Sequence, residues 1–437
     1  MSSATSLSRG SEWHKWDLHI HSPLSGLNNQ FPQTSTGPDW EAYVSALESL
    51  SDISVLGITD YFSIDGYRKI LGYKDTGRLK NIGLIIPNIE FRIDNVINTG
   101  AEQRRLNYHV LFSDEVTPEQ IDEHFLQEIK FCFEGDPQNT DYSWSVRHQN
   151  LVLLGQKLKK EHKKFDDGRS DFEIGCMNAT VAPAQIKEVL RDKDQLFKGK
   201  YLIVLPEENM SLMEWDGQHH QTRKTLLQGA DCIFSGNPNT TKWASGEGAQ
   251  TKESFEKEFR SLKPCIHGSD AHGLADIGKP ALNRFCWIKA ELTFEGLKQI
   301  LYEPKDRVFI GDEPPSFKND YQVIERVTVQ KSPDWFGDLS VPLNEDLVSI
   351  IGPRGSGKSA LAELIAFAGG ASVFKEPGDL SDSFLYKASR RSAANLNPIT
   401  NTHVTLHWRD SSNDDITIPF PLKNTGKEVV SEKCVDA

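Results

Sequence analysis

The chain has 437 residues, too many for one ordinary domain and enough for two or three. Charged residues make up 25% and the formal net charge is −13, which excludes non-specific coating of nucleic acid by the whole surface but leaves room for a local basic groove. Six scattered cysteines without a CxxC pair, a Ser-rich start and no run of about 18 apolar residues exclude a disulfide scaffold, a signal peptide and a membrane span, and favour a cytoplasmic protein with reduced thiols.

In chain order, residues 1–11 read as a disordered lead-in. A repeating unit follows, in which an apolar run ends in a polar group and a helical stretch comes next. The first run is Lys15–Ser22, containing Asp17-Leu-His-Ile-His21. Helical spacing follows at Trp40, Tyr43, Val44, Leu47 and Leu50. Ile53–Asp60 is the second run, with Ser63–Tyr73 as its helix. Ile82–Glu90 and Asn107–Phe112 are the third and fourth. Thr117-Pro-Glu-Gln120 marks a helix start, with a Thr cap, a Pro at the first position and a Gln three residues on. Residues 134–144 read as an irregular insertion. Val146–Phe165 is a helix that ends in the basic stretch Lys157 to Lys164.

The rhythm resumes with Phe172–Ala179 and a helix from Ala182 to Phe197. Strands over Tyr201–Glu208 and Ala230–Ser235 flank a helix around His220–Gln228. The amphipathic helix Lys252–Leu262 precedes the run Pro264–His272, and Thr293–Tyr302 makes one more helix. Strands alternating with helices predict an α/β architecture of parallel β/α units. A closed barrel is preferred to an open sheet because candidate ligands follow many different strands, and closure brings those strand ends to one point.

At Pro314-Pro315 the rhythm breaks, and the linker falls at 310–320. Val323–Gln330 reads as an antiparallel strand and His403–Trp408 as another. Asp346–Ile351 reads as a buried strand running into Gly352-Pro-Arg-Gly-Ser-Gly-Lys-Ser359, with a helix over Ala360–Ala368. That loop fits GxxxxGK[ST] at every position, between strand and helix. Backbone amides around Gly352, Gly355 and Gly357 suit the phosphates of ATP, Lys358 the β/γ-phosphates, and Ser359 a Mg²⁺ ion.

His19 and His21 share one strand face, because side-chain direction repeats every second residue. Asp60, Glu90, His109, Asp270 and His272 each stand at a similar place after an apolar run, and Asp270 and His272 repeat the two-residue spacing. A lone HxH pair is weak evidence, whereas the joint set points to a divalent ion such as Zn²⁺, Mn²⁺ or Fe²⁺. Arg92, just past Glu90, reads as a salt-bridge partner.

Taken in order, Asp17-Leu-His-Ile-His21, Ile58-Thr-Asp60, Glu90, His109 and Gly268-Ser-Asp-Ala-His272 resemble the successive motifs of the PHP (polymerase and histidinol phosphatase) domain. The resemblance covers residues 12–312. It implies a distorted seven-stranded β/α barrel that hydrolyses phosphate esters or phosphodiesters with two or three metals at the carboxyl-terminal face. It further implies His19, His21, Glu90 and Asp270 at a first, catalytic metal, Glu90 bridging to a second that takes His109, and His272 at a third. Two departures stand out. Tyr61 occupies the position of a usual His, and no Ala-His-Pro segment lies between His109 and Asp270. Glu207, Glu208, His219 and His220 are candidates for that place, although the two histidines read better as a solvated helix start. His267 reads as a core or supporting residue.

Residues 313–437 resemble the start of an SMC/ABC-type P-loop ATPase, and the order of the two parts is similar to TrlF-like fusions. After Ser359 there is neither an LSGGQ-like signature nor an apolar strand ending in Asp-Glu. The chain is then either a piece of such an ATPase or a protein that binds ATP without hydrolysing it alone. Together the resemblances imply a metal-dependent phosphoesterase, a nuclease with nucleic acid as substrate, coupled to ATP. They also imply a homo-oligomer formed through the ATPase module and a role in phage defence or DNA repair. Two alternatives stand beside this: an ATP-dependent switch with a degenerate barrel, and a small-molecule phosphatase. The stretch Lys157–Lys164 reads first as a solvated helix face and second as a backbone contact.

Overall fold

Trp13–Pro314 forms one unit of the computed structural model; the chain from Pro315, together with the segment up to Glu12, forms a second. The structure describes residues 9–98, 103–131, 144–213, 215–315, 318–331, 337–371, 383–385 and 402–417.

Apart from a two-residue hairpin pairing Gln33–Thr34 with Gly37–Pro38, the described strands of the first unit are β1 (Glu12–His21), β2 (Ile53–Tyr61), β3 (Leu84–Asn98), β4 (Gln103–Phe112), β5 (Tyr201–Pro206), β6 (Cys232–Phe234), β7 (Cys265–Ile266), β8 (Phe285–Ala290) and β9 (Val308–Gly311). They make one nine-stranded sheet in the order β9-β8-β1-β2-β3-β4-β5-β6-β7. The chain beyond β7 returns to β1. Asp270 N donates to His19 O at 2.8 Å, and His21 N donates to Ala271 O at 3.0 Å. The result is a nearly closed, barrel-like sheet in a mixed α/β unit.

Both faces of the sheet are buried, which explains the nearly continuous apolar runs. Trp16, Leu18, Val55, Ile86, Leu111 and Val204 pack in one cluster, to which all seven strands from β1 to β7 contribute. Ile20, Leu56, Ile58, Ile85, Ile89 and Val110 pack on the other side, against the helices. On β1 the facing changes between Leu18 and Ile20, at an irregularity in its pairing with β2 between Asp17 and Ile20. A local break of this kind re-aims side chains. It leaves His19 and His21 on the face opposite Ile20.

The pairs β1–β2, β2–β3, β5–β6 and β6–β7 are parallel. β4 runs against both β3 and β5, contrary to a uniformly parallel rhythm. The physical reason is connection length. Only residues 99–102 separate β3 from β4, and a parallel return needs a crossover of roughly a dozen residues or more.

Helices α1 (Trp40–Glu48), α2 (Asp65–Asp75), α3 (Pro118–His124), α4 (His148–Glu161), α5 (Asp171–Asn178), α6 (Pro183–Asp192), α7 (Glu207–Ser211), α8 (His220–Gln228), α9 (Pro238–Ala244) and α10 (Lys252–Phe259) fill the connections. The Thr117–Gln120 capping box forms at α3. The run Phe172–Ala179, read from its sequence as a return of the strand rhythm, is instead helix α5. Ser170 caps it by accepting from Glu173 N at 3.0 Å, and Asp171 and Glu173 sit in the first turn, where carboxylates favour a helix.

The second unit is an antiparallel sheet in the order β11-β10-β12-β13, made of β10 (Ile324–Gln330), β11 (Leu339–Pro342), β12 (His403–Trp408) and β13 (Asn413–Thr417). Helix α11 (Lys358–Ala368) packs Leu364 and Phe367 onto Val327, Val329, Val404 and Leu406. Two expectations change here. Arg9 and Ser11 are not a loose lead-in, since Asn344 Nδ2 donates to both backbone oxygens and Arg9 pairs with Glu325. Asp346–Ile351 is not a buried strand. No ladder pairs with it among the described residues, and Leu347 and Ile351 are 87% and 88% exposed. A central strand takes its burial from neighbours on both sides, and the described sheet of this unit is built from other segments.

Among the described residues no helix is long and apolar enough to cross a membrane. Cys176, Cys232, Cys265 and Cys286 are buried free thiols, whereas Cys132 and Cys434 lie outside the described residues.

Candidate metal centre

β1 brings His19 and His21, β3 brings Glu90, β4 brings His109, and the segment after β7 brings Asp270. Their donor atoms converge. His19 Nε2 lies 3.2 Å from His21 Nε2, 3.5 Å from Glu90 Oε2 and 3.2 Å from Asp270 Oδ1. His21 Nε2 lies 3.4 Å from the same two oxygens. His109 Nε2 is 3.8 Å from Glu90 Oε1. Two overlapping ligand sets result, one of His19, His21 and Asp270 and one of His19, Glu90 and His109.

Four donors around a tetrahedral ion at roughly 2.0–2.1 Å would stand about 3.3 Å apart, close to the spacing seen. Glu90 Oε2 and His109 Nε2 are buried without a hydrogen-bond partner in the described structure. Unpaired buried polar atoms are costly, and a cation would satisfy both. Nitrogen and carboxylate donors therefore fit a divalent transition-metal ion in spacing and in chemistry.

The surrounding residues set the direction of these donors. His109 Nδ1 donates to Asn88 Oδ1 at 3.1 Å, which leaves Nε2 facing Glu90. Asn88 Nδ2 donates in turn to Leu18 O and to Thr59 Oγ1. His21 Nδ1 is hydrogen-bonded to Ser25 Oγ at 2.8 Å, and Tyr43 Oη donates to the His21 carbonyl. Phe234 packs an apolar face against both His19 and His109. Asp17 Oδ1 accepts from Ser269 N at 2.9 Å and ties β1 to the Asp270 segment. That junction requires Gly268, where a Cβ would stand 2.5 Å from His19 N and 2.6 Å from Asp17 Oδ1. Asp270 itself has φ +51°, a left-handed conformation uncommon outside glycine.

Electrostatics follow from burial and pairing. Burial alone would push the His21 pKa down, but Asp270 and Glu90 more than reverse this and raise it to about 9. His19 shifts up under the same opposition. Burial lowers His109 to about 3 and His272 to about 4. Despite burial, His109, His19 and His21 hold Glu90 well below the usual carboxylate range. Near neutral pH the metal-free cluster is therefore an imidazolium–carboxylate network with two neutral imidazoles beside it.

The remaining candidates separate clearly. Asp60 is buried at the end of β2, but Ser22 Oγ donates to one oxygen at 2.6 Å and Gly66 N to the other at 2.9 Å. It belongs to neither ligand set. Gly66 makes the second contact feasible, because a Cβ there would collide with Ser22 and Asp60. His272 stacks on His21 with ring centroids 4.0 Å apart, its Nε2 3.7 Å from Asp270. Tyr61 also stacks on His21, with ring centroids 5.2 Å apart.

Glu207 is consumed by Ser235, Asn237 and Thr240. Its neighbour Glu208 lies within the field of Asp270 and Glu90, and burial together with those carboxylates raises its pKa. His220 is bonded to Trp215 O, and His219 is the residue before α8. Burial lowers His267 to about 4. Arg92 donates to Met177 O at 3.1 Å, and among the described residues it forms no ion pair. Of the basic stretch, Lys159 is held by Asp171, whereas Lys160, Lys163 and Lys164 are exposed.

In the second unit Gly355 and Gly357 have φ of +84° and +86°, and Lys358 Nζ donates to Gly352 O and Pro353 O. Ser359 lies in the first turn of α11. Asn88 and Ser25 are the positioning residues missed in the sequence. Asn88 stands two residues before Glu90, on the same strand face, and that spacing was the available signal.

No protein-family model and no curated protein matches this chain. Among solved structures it aligns with a protein of Bifidobacterium adolescentis, provisionally described as a metal-dependent phosphoesterase. The alignment has 11% identity, covers 62% of this chain and 91% of the other, and has a TM-score of 0.27. A likeness that low carries no argument about fold or chemistry.

Proposed function

We propose that the barrel-like unit is a metal-dependent phosphoesterase acting on the phosphodiesters of nucleic acid, and that the 352–359 loop binds ATP with Mg²⁺ and couples to it. The observation that supports the first part is the 3.2–3.5 Å spacing among the donors of His19, His21, Glu90 and Asp270. A divalent cation held there supplies Lewis acidity, drawing charge from a phosphoryl oxygen and acidifying water near neutral pH.

The chain's own residues do the rest. His19, His21, Glu90 and Asp270 hold the cation, and Glu90 reaches His109 with its second oxygen. Asn88 and Ser25 keep the imidazole Nε2 atoms turned inward, the usual task of residues behind a metal ligand. No side-chain nucleophile is required. The nucleic-acid part rests on the PHP-like motifs and on the exposed lysines that follow α4 and close its last turn. The ATP part rests on the fit of residues 352–359 to the phosphate-loop pattern and on the helix that follows.

The test is Mn²⁺-supported cleavage of labelled DNA and RNA, with and without ATP, by the wild-type protein and His19→Ala/His21→Ala. Cleavage by the wild type alone, changed by ATP, is expected. Equal cleavage by both proteins rejects the centre.

A further inference from the structure

A cavity of 660 Å³ opens beside the metal centre, between the loop after β1 and helices α4 and α5. Its size is that of a small-molecule site. Two of its lining residues touch the centre's histidines. Ser25 Oγ lies 2.8 Å from His21 Nδ1, and Gln30 N donates to His272 O at 2.8 Å. The cavity therefore begins one side chain away from the candidate ligands.

Its lining has a distinctive chemistry. One wall carries His148 stacked on Phe172, with ring centroids 4.2 Å apart and planes 29° apart. The rim carries the exposed side-chain amides of Asn28, Gln30 and Gln33. Among the described residues no lysine or arginine lines it, and it contains the carboxylates Asp65 and Glu173. Such a lining repels a phosphate. It suits a flat, neutral ring with hydrogen-bonding edges, because amides both donate and accept and aromatic faces stack on any base.

The geometry points to a nucleoside-binding subsite: the cavity takes the nucleoside portion of a phosphoester, its base against the Phe172–His148 stack and its edge toward the amide rim. Placing the ester phosphate at the metal centre rests on the phosphoesterase reading. Nucleoside binding itself does not.

Two measurements on the full chain test this. The first follows adenosine and thymidine binding to EDTA-treated protein by ligand-observed NMR titration, with ribose as the control. Wild type is expected to bind both nucleosides and not ribose. Phe172→Ala is expected to weaken binding about tenfold or more, the scale of one lost stacking contact. Phe172→Tyr, which keeps the ring, retains binding, and the exposed Gln30→Ala gives a smaller loss.

The second compares kcat/KM for the p-nitrophenyl ester of thymidine 5′-monophosphate and for p-nitrophenyl phosphate, with Mn²⁺. Phe172→Ala lowers the first about tenfold and leaves the second within about twofold. Absence of nucleoside binding by the wild type overturns the proposal, as does equal binding by wild type and Phe172→Ala. Nucleoside binding by a protein that cleaves neither ester upholds the subsite and defeats the phosphoesterase reading instead.

Discussion

Glu90 on β3 and His109 on β4 stand directly opposite one another across an antiparallel ladder, Oε1 to Nε2 at 3.8 Å. The other oxygen of Glu90 faces His19 and His21 on β1, two strands away. One carboxylate thus links the His19–His21 pair to His109, and the backbone ladder, not a loop, holds it there.

Removing this joint dissects the centre. Glu90→Gln is expected to abolish tight binding of the divalent ion, while His109→Ala lowers the bound metal without abolishing it. Metal content after dialysis, measured by atomic emission, reads this directly. Full occupancy in both variants would mean that the donors do not act as ligands.

Metal binding is expected to depend steeply on pH. Asp270 and Glu90 raise His21 to about 9, so it carries a proton near neutrality that a cation must displace, and they raise His19 in the same direction. Affinity therefore increases with pH through neutrality and levels off above about 9, with protons released on binding in weak buffer. The stability of the metal-free protein runs the other way. The His21 contribution is complete below its ordinary value of 6.5 and is lost as pH rises through about 9, so the Tm of the metal-free protein falls over that window. Calorimetry at several pH values checks both trends, and pH-independent binding from 6.5 to 9 contradicts the first.

Asp60→Asn separates a structural carboxylate from a ligand. Asparagine has one acceptor oxygen where Ser22 and Gly66 now use two, so one buried donor is left unmet. The expected loss of stability is about 1–3 kcal/mol, with unchanged metal content. A normal Tm with one ion missing would restore Asp60 to the ligands.

Asn88→Ala is expected to weaken metal binding about 10–100-fold, because His109 loses the bond that orients its ring. Isothermal titration with Zn²⁺ measures it, and wild-type affinity would show that the strand alone aims His109.

In the second unit, Lys358→Ala is expected to weaken binding of a fluorescent ATP analogue by tenfold or more, about 1.4 kcal/mol. In the structure Lys358 Nζ is engaged by Gly352 O and Pro353 O, so ATP must exchange phosphate oxygens for these carbonyls. Equal binding by the two proteins would remove the loop from consideration as an ATP site.

Short motifs made much of this molecule legible. His19 and His21 share a strand face through a two-residue period, and a capping box announced α3. The capping pattern Ser170-Asp-Phe-Glu173 is equally local, and it starts helix α5 in a run whose apolar content alone resembles a strand. Asp346–Ile351 has the composition of a buried strand but no ladder partner in the described structure.

The amino-acid order by itself determined which donors exist, where most strands and helices begin, and that the β/α rhythm breaks near Pro314-Pro315. It did so because caps, turns and alternation act over a few neighbouring residues. Only the tertiary structure decided that the register of β3 and β4 sets Glu90 opposite His109, and that Asp60 is spent on Ser22 and Gly66 while Asp270 reaches His19. Those outcomes depend on which strands pair and in what register. Pairing between strands far apart in the sequence is a competition among segments for the same backbone hydrogen bonds, and a short connection settles it only for neighbours such as β3 and β4.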